Sequence, residues 1–94
     1  MGWRPSRRLD VKAGNATDAW SADIPLDFQS RIISAECWDE NLNIRLSNDG
    51  GATYSDAFEV DPDRPFVFPF SASDIQIQNT TGGSTARYQA AAGD

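Results

Sequence analysis

The side chains that most often carry catalysis are scarce in this chain of 94 residues. It contains no histidine and a single cysteine, Cys37. The lack of histidine excludes Ser-His-Asp and Cys-His nucleophile pairs, together with the commonest acid–base group and metal ligand. Cys37 lies within a predicted strand, on its predicted inner face, where a thiol is ordinarily inert packing. A lone cysteine forms no internal disulfide, so the covalent chemistry does not indicate an oxidising compartment.

Two pairs of carboxylates remain as candidates for chemistry, Asp39 with Glu40 and Asp61 with Asp63. Two acids can hydrolyse a glycosidic bond when a cleft holds them ~5–10 Å apart and one of them is desolvated. Both pairs fall in polar loops, where solvent keeps the two groups ionised and alike, so we predict no catalytic residue. Clustered loop carboxylates also suit calcium, which leaves Asp61 and Asp63 as an alternative cation site. Their spacing lacks the glycine and the distal acid of an EF-hand loop, and we therefore predict neither a metal nor a cofactor.

Two tryptophans are candidates for binding rather than catalysis. Trp38 ends a predicted strand directly before Asp39-Glu40-Asn41, so that an aromatic ring and hydrogen-bonding groups would converge on a sugar; Trp38, Asp39 and Glu40 are the candidate contacts. The competing interpretation is partial burial of Trp38 against a loop, since large aromatic residues are mostly buried. Trp3 lies outside any predicted strand, and an aromatic residue in a basic segment is of the kind that anchors a protein interface.

The run Ser47-Asn48-Asp49-Gly50-Gly51-Ala52-Thr53-Tyr54 predicts the turn of a β-hairpin. Apolar and polar residues alternate strictly from residue 42 up to this run, and Asp-Gly-Gly supplies residues that accept a positive φ. The run resembles the Asp-box of sialidases and related β-proteins, Ser-x-Asp-x-Gly-x-Thr-Trp, with tyrosine where that family prefers tryptophan. In that family the carboxylate caps N–H groups of the loop while the ring packs under it. The resemblance therefore implies a structural turn made by Ser47, Asp49, Gly51, Thr53 and Tyr54.

The rest of the chain consists of short alternating segments separated by turn residues, and no stretch supports a long helix. The predicted strands cover residues 9–13, 20–26, 32–38, 42–47, 57–60, 66–70, 74–79 and 86–91. In the third of them Ile33, Ala35 and Cys37 should face inward. In 66–70 the three phenylalanine rings are predicted core, with Pro69 confining that strand to an edge or a bulge. About seven to eight short strands predict an all-β fold, a small antiparallel β-sandwich or jelly-roll-like barrel.

The charge is divided unevenly along the chain. Eight Lys and Arg against fourteen Asp and Glu give a net charge of −6, which argues against a nucleic acid partner. Residues 1–12 nevertheless carry a balance of +3, because they hold four basic residues against Asp10, while residues 13–94 hold four Arg against thirteen acids, a balance of −9.

This division predicts a basic N-terminal arm over residues 1–13, with an alternative in which the arm extends into a first strand, and a single β-sandwich domain over 14–94. The candidate partner-binding residues of the arm are Trp3, Arg4, Arg7, Arg8 and Lys12. The simpler alternative is a frayed, solvated terminus. No segment has the apolar run of a secretory signal or the roughly 20 apolar residues of a membrane helix, so we expect no membrane partner.

The order of segments over residues 30–92 resembles the small β-sandwich virion proteins of tailed bacteriophages. An alternating strand leads into Ser-Asn-Asp-Gly-Gly, and a Phe-rich strand, a Gln-rich strand and the closing run 79–89 follow. The resemblance implies a non-enzymatic structural protein of the virion, assembled in the host cytoplasm, most simply a capsid decoration or cement protein or another head or tail component. Its partners would be other virion proteins, such as the major capsid protein, and copies of itself in a homo-oligomer. The alternative is a small carbohydrate-binding β-sandwich module.

Overall fold

The computed structural model describes residues 8–80, 82 and 85–94, with Phe68 described by its backbone alone. This part of the chain forms eight strands: β1 (Leu9–Ala16), β2 (Ile24–Pro25), β3 (Ile32–Cys37), β4 (Leu42–Ser47), β5 (Phe58–Val60), β6 (Phe66–Phe68), β7 (Asp74–Asn79) and β8 (Ala86–Gly93). In the same residues there is no helix of sufficient length and hydropathy to cross a membrane.

The strands form two four-stranded sheets, in the orders β1-β8-β3-β6 and β2-β7-β4-β5. Every pairing is antiparallel, and the first strand pairs with the last, the second with the seventh, the third with the sixth and the fourth with the fifth. The chain is thus one long hairpin of strand pairs rolled into two layers, which is the jelly-roll arrangement. The prediction of a small all-β antiparallel sandwich is confirmed.

The core joins small side chains on one sheet to large ones on the other. The buried apolar side chains of β8 and β1 are alanines, whereas β4 and β7 supply leucine and isoleucine, and unequal partners of this kind let two layers interdigitate without voids. None of these core residues is more than 4% exposed: Ala16, Ala86, Ala90 and Ala92 on the first sheet, and Leu42, Ile44, Leu46, Ile75 and Ile77 on the second. Ile33, Ala35 and Cys37 of β3 also face inward, as predicted.

Strand bounds differ from the prediction where pairing, rather than local pattern, decides them. The strand predicted over 20–26 is reduced to Ile24–Pro25. The rings of 66–70 are not all in the core, because the Phe66 side chain is 38% exposed and its ring centre lies 5.1 Å from that of Phe58. The side chain of Phe68 lies outside the described part. The strand does lie at a sheet edge and ends before Pro69, since proline cannot donate to the ladder.

β1 turns its charged residues inward and its apolar residues outward. It pairs with β8 along its whole length, and the register places Lys12 opposite Ala90 and Asp10 opposite Ala92, both of which face the core. Cross-strand partners share a face, so Asp10 is 6% exposed while Leu9 is 70% exposed. The predicted domain boundary at residue 13 falls inside this strand, and residues 9–13 belong to the sandwich.

The buried carboxylate of Asp10 is matched by nearby donors. It accepts the N–H of Asp27 at 2.8 Å and lies 3.4 Å from the Lys12 ammonium. Charged side chains pointing inward on an edge strand are also a known device against pairing of that edge with another chain.

Replacing Asp10 with alanine should lower the free energy of unfolding by about 1–3 kcal/mol, because the Asp27 N–H and the Lys12 ammonium lose their acceptor inside the fold. Urea unfolding measures the change. Asp27→Ala is the matched control: it removes a carboxylate that is 72% exposed and 3.7 Å from the same ammonium, and such an exposed pair contributes at most about 1 kcal/mol. Equal losses in the two variants would contradict the assignment of Asp10.

Candidate functional site

The outward side of the β1-β8-β3-β6 sheet carries most of the exposed large apolar side chains of the described residues. Leu9, Val11, Ile32 and Val67 are 70%, 46%, 41% and 61% exposed, and Ala91 lies among them on β8. The strand registers place them in adjacent rows, since Leu9 and Ile32 both pair with Gly93, and Val11 and Ser34 both pair with Ala91. We call these five residues (Leu9, Val11, Ile32, Val67 and Ala91) the apolar face.

The outward side of the other sheet is polar, and its side chains bond to one another. The Asn43 amide donates to Gln78 Oε1 at 3.3 Å, and Arg45 Nε donates to Gln76 Oε1 at 2.8 Å. Both glutamine amides donate in turn to backbone carbonyls of the segment 17–23, which runs along β7. One outer surface is therefore occupied by the protein itself, while the described residues leave the apolar face in solvent, as interaction sites are.

The residues predicted for a basic docking arm fall into two groups. Trp3, Arg4 and Arg7 lie outside the described residues. Arg8 donates from its backbone and from Nε to the Asp94 carboxylate, at 2.8 and 2.5 Å, and its guanidinium lies 4.5 Å from the Phe28 ring centre. Lys12 is held between Asp10 and Asp27. Both described members of the set thus have partners within the chain.

A shallow groove of about 290 Å³ opens at the end of the same sheet, beyond the apolar face. Trp38, which is 46% exposed, stands at one side, and the Arg87 guanidinium carbon lies 5.6 Å from its ring centre. The groove is lined by Ala13, Gly14, Asn15, Trp38, Arg87, Tyr88 and Gln89. It offers an aromatic ring beside amide groups, the combination that orients a small polar ligand.

The predicted sugar contacts Trp38, Asp39 and Glu40 do not act as a group. Asp39 Oδ2 accepts the backbone N–H and the Nε–H of Arg87, at 3.0 and 3.3 Å, and these bonds hold the pKa of Asp39 below its ordinary value of 3.8. Glu40 accepts the Asn79 amide at 2.9 Å. Asp39 thus positions Arg87 in the groove, whereas Glu40 stabilises the fold through its bond with Asn79.

Sequence reasoning missed the polar lining that replaces them. Asn15, Arg87 and Gln89 come from strands far apart in the chain. The register brings Asn15 opposite Arg87, and Gln89 opposite Glu36, two residues before Trp38. Their outward positions follow from alternation, but only the pairing of β8 with both β1 and β3 places them beside Trp38.

The residues of the Asp-box-like run form one hydrogen-bonded loop. Asp49 Oδ1 accepts the Ser47 hydroxyl at 2.6 Å and the Thr53 N–H at 3.0 Å, while Oδ2 accepts the Thr53 hydroxyl at 2.5 Å. Ser47 Oγ accepts the Gly51 N–H at 3.0 Å. Bonds from Ser47 and then Thr53 lower the pKa of Asp49 to about 2. The loop is a structural connection between β4 and β5.

Glycine is required at the apex of this loop. Gly50 and Gly51 have φ values of 77° and 89°, a region that side chains rarely adopt. A Cβ on Gly51 would also lie 2.7 Å from Asp23 Oδ1. The close approach brings the loop against the segment that precedes β2.

Tyr54 ties the same loop to the polar side of the second sheet. Its hydroxyl donates to Asp23, and burial followed by this carboxylate raises the pKa of Tyr54. The Arg45 guanidinium lies between two rings, 5.1 Å from the centre of Tyr54 and 4.2 Å from that of Trp20. Burial, with Asp23 close by, raises the pKa of Asp74. These contacts stabilise the loop.

The other candidate groups are engaged in packing or turns. Asp61 Oδ1 accepts the Asp63 N–H at 2.9 Å, and the Asp61 carbonyl accepts the Arg64 N–H at 2.9 Å, as in a tight turn. In residues 8–80, 82 and 85–94, no three His, Cys, Asp or Glu side chains are grouped so as to hold a metal ion. Cys37 is buried, with its thiol 3.5 Å from the Val60 carbonyl, and burial raises its pKa.

Comparisons with known proteins identify the fold but not a family. No protein family model matches the chain, and no curated protein matches it. Among solved structures it is similar to a protein of the Bacillus endospore appendages, described as a family of disulfide-linked pili, with 13% identity over 97% of this chain and 89% of the other and a TM-score of 0.56. It is also similar to a cupin domain of Schizosaccharomyces pombe, with 20% identity over 100% of this chain and 61% of the other and a TM-score of 0.54.

The loop capped by Asp49 should make stability depend on pH in a defined direction. Because the pKa of Asp49 in the folded protein lies below its ordinary value of 3.8, the carboxylate stabilises the fold above that value, and this contribution is lost as the pH falls through about 2. Asp49→Ala should lower the melting temperature by several degrees near neutral pH and by progressively less toward pH 2. Calorimetry measures both, with the exposed Asp56→Ala as control. A pH-independent difference would contradict the capping role.

Proposed function

We propose that this protein is a non-enzymatic structural subunit that assembles with other proteins through its apolar face. The observation that carries the proposal is the exposure of Leu9, Val11, Ile32 and Val67 on one side of a regular sheet. Apolar surface in water is unfavourable at ~25 cal/mol per Å², and exposed apolar side chains grouped on one side of a sheet are typical of an interaction site.

The fold is compatible with this role. Jelly rolls serve as capsid, lectin and cupin domains, and fold alone does not select among them. The likeness to a protein of disulfide-linked pili supports this role, because that protein works by assembly. In this chain the single cysteine, Cys37, is buried, so the assembly that we propose is non-covalent and depends on apolar contact.

The finer proposal places the subunit in the virion of a tailed bacteriophage, as a capsid decoration protein or another head or tail component, assembled in the host cytoplasm. The order of segments over residues 30–92 and the use of jelly rolls in viral shells support it. The net charge of −6 favours protein partners, the major capsid protein among them, over nucleic acid.

The virion proposal predicts that the chain is present in phage particles purified from the source culture, at a fixed ratio to the major capsid protein by mass spectrometry. Ala91→Arg places a charge in the apolar face and should strongly reduce incorporation. Ala52→Arg, the same substitution in an exposed loop of the other sheet, should not. Absence of the chain from the particles would contradict the virion role, and equal incorporation of both variants would contradict attachment through the apolar face.

Removal of residues 1–7 tests the basic arm separately while leaving β1 intact. Because Arg8 and Lys12 have partners within the chain, any contribution of the arm to attachment must come from residues such as Trp3, Arg4 and Arg7. If the truncated protein is incorporated into particles to the same extent as the full chain, attachment must come from the sandwich and not from the arm.

A second function, carbohydrate binding, is favoured by the groove beside Trp38. The Trp38 ring is exposed there, and Asp39 neutralises Arg87, so the groove suits an uncharged sugar ring better than an anion. Asn15 and Gln89 supply amide donors and acceptors for its hydroxyls.

For this second function, isothermal titration calorimetry with cello-, malto- and chito-oligosaccharides should show binding to the wild-type protein. The affinity should fall at least about tenfold in Trp38→Ala, because an aromatic anchor dominates a small interface. Val67→Ala, on the same sheet but outside the groove, should leave the affinity unchanged. No binding of any of the three oligosaccharides would remove this candidate.

A further inference from the structure

A buried acid lies on the polar, outward side of the second sheet. In β7 the side chains of Ile75 and Ile77 are buried in the core, so Asp74, one position before Ile75, points to the other side of the sheet. Asp74 is nevertheless only 4% exposed. The register places it opposite Ser47 of β4 and Pro25 of β2, where the β4–β5 loop begins and the segment before β2 ends. These two pieces of chain therefore flank the buried carboxyl.

The side chain of Asp23, in the segment before β2, reaches this buried acid. It lies within hydrogen-bond reach of the Asp74 carboxyl, and it also accepts the Tyr54 hydroxyl. Two carboxyl groups form a hydrogen bond only when one of them is protonated, since a carboxylate has no donor. Burial disfavours the charged form, and Asp74 is buried whereas Asp23 is exposed. When the pair holds one proton, Asp74 therefore carries it and donates to the Asp23 carboxylate.

The other charged groups around the pair favour retention of this proton. Burial, followed by Asp23, raises the pKa of Asp74, and the charge of Asp49 in the neighbouring loop acts in the same direction. The Ser73 hydroxyl acts against them. The guanidinium of Arg45 is engaged by a glutamine of β7 and by two aromatic rings. An ionised Asp74 would therefore face two carboxylates, with a neutral hydroxyl as its donor.

Loss of the proton acts on the contact between the loop and the segment. That contact is made at Asp23, because Tyr54 donates to its carboxylate and Gly51 lies so close that a Cβ there would be 2.7 Å from Asp23 Oδ1. Two carboxylates side by side repel each other. Asp23 is exposed, so it can move into solvent, whereas Asp74 is fixed in a strand. When Asp23 moves, the loop loses the acceptor of its tyrosine.

We propose that Asp23 and Asp74 share one proton and so form a pH-sensitive clamp, which holds the β4–β5 loop on the segment before β2 in acid and loosens it when the proton is lost to solvent. The change is local, because the Ser21 N–H in the same segment still donates to the Ile77 carbonyl at 2.9 Å. The clamp lies on the outward side of the second sheet, away from the apolar face. It goes beyond the proposed function and does not rest on it.

The clamp should respond to pH in the direction opposite to that of the Asp49 cap. Because the pKa of Asp74 in the folded protein lies above its ordinary value of 3.8, its contribution to stability is fully present below 3.8 and is lost as the pH rises through the folded-state value. Asparagine does not ionise, so the melting temperature of Asp74→Asn should rise relative to the wild type over that interval, whereas that of Asp49→Ala should fall relative to the wild type as the pH rises. A constant difference for Asp74→Asn would overturn the clamp.

Carbon NMR of the side-chain carboxyls in the full chain tests the shared proton directly. In a titration from below pH 3.8 to above neutrality, the wild-type Asp74 carboxyl should titrate with a midpoint above 3.8, and the ring signals of Tyr54 should shift with the same midpoint. Asp23→Asn removes the neighbouring negative charge and should lower the midpoint of Asp74. Asp56→Asn changes an exposed acid just after the same loop and should leave that midpoint unchanged.

Each of three results in this titration would overturn the proposal. A wild-type midpoint at or below 3.8 would show that Asp74 holds no shared proton. An unchanged midpoint in Asp23→Asn would show that burial acts alone, and Tyr54 signals that do not follow the step would show that the loop does not respond. The first and third readings use the wild-type chain, so they do not depend on the folding of a variant. Assembly through the apolar face is tested separately, by Ala91→Arg.

Discussion

The structure depends on the pairing of β8 with β1 on one side and β3 on the other. Alanines on the inner side of β8 make this possible. Ala86, Ala90 and Ala92 let the isoleucines of the opposite sheet approach closely. A larger residue in place of these alanines would force the two layers apart, so this strand sets the thickness of the core.

The outward sides of the two sheets differ in what covers them. On the second sheet Arg45 stacks between aromatic rings and the glutamines of β7 bond to the segment 17–23, so that surface is occupied by the protein itself. In the first sheet, the edge strand β1 points Asp10 and Lys12 inward and exposes Leu9 and Val11 to solvent. Burying charged side chains and exposing apolar ones is unfavourable for an isolated subunit, and this cost agrees with our proposal that a partner covers the apolar side chains.

The alternation of apolar and polar residues was sufficient to predict most strands and the all-β fold. A period-two pattern such as Ile75 and Ile77 indicates which residues share a buried side. It was insufficient for β1, where the register with β8 decides which side faces the core, and a shift of one residue would reverse it. The groove could not be predicted either, because it also depends on strand pairing. The sequence identified Trp38 as a candidate, but only pairing between distant strands brings Arg87 and Asn15 next to it.

The strand order also has a consequence for biosynthesis. β8 is the last of these eight strands to be synthesised, yet it is the pairing partner of β1, the first of them. The first sheet therefore cannot close until residue 93 has been synthesised, and until then β1 and β3 lack the strand that lies between them. Non-local pairing of this kind makes folding slow, and the exposed strands of the waiting chain can pair with other nascent chains. The charged side chains of Asp10 and Lys12 disfavour pairing of β1 with another chain during this interval.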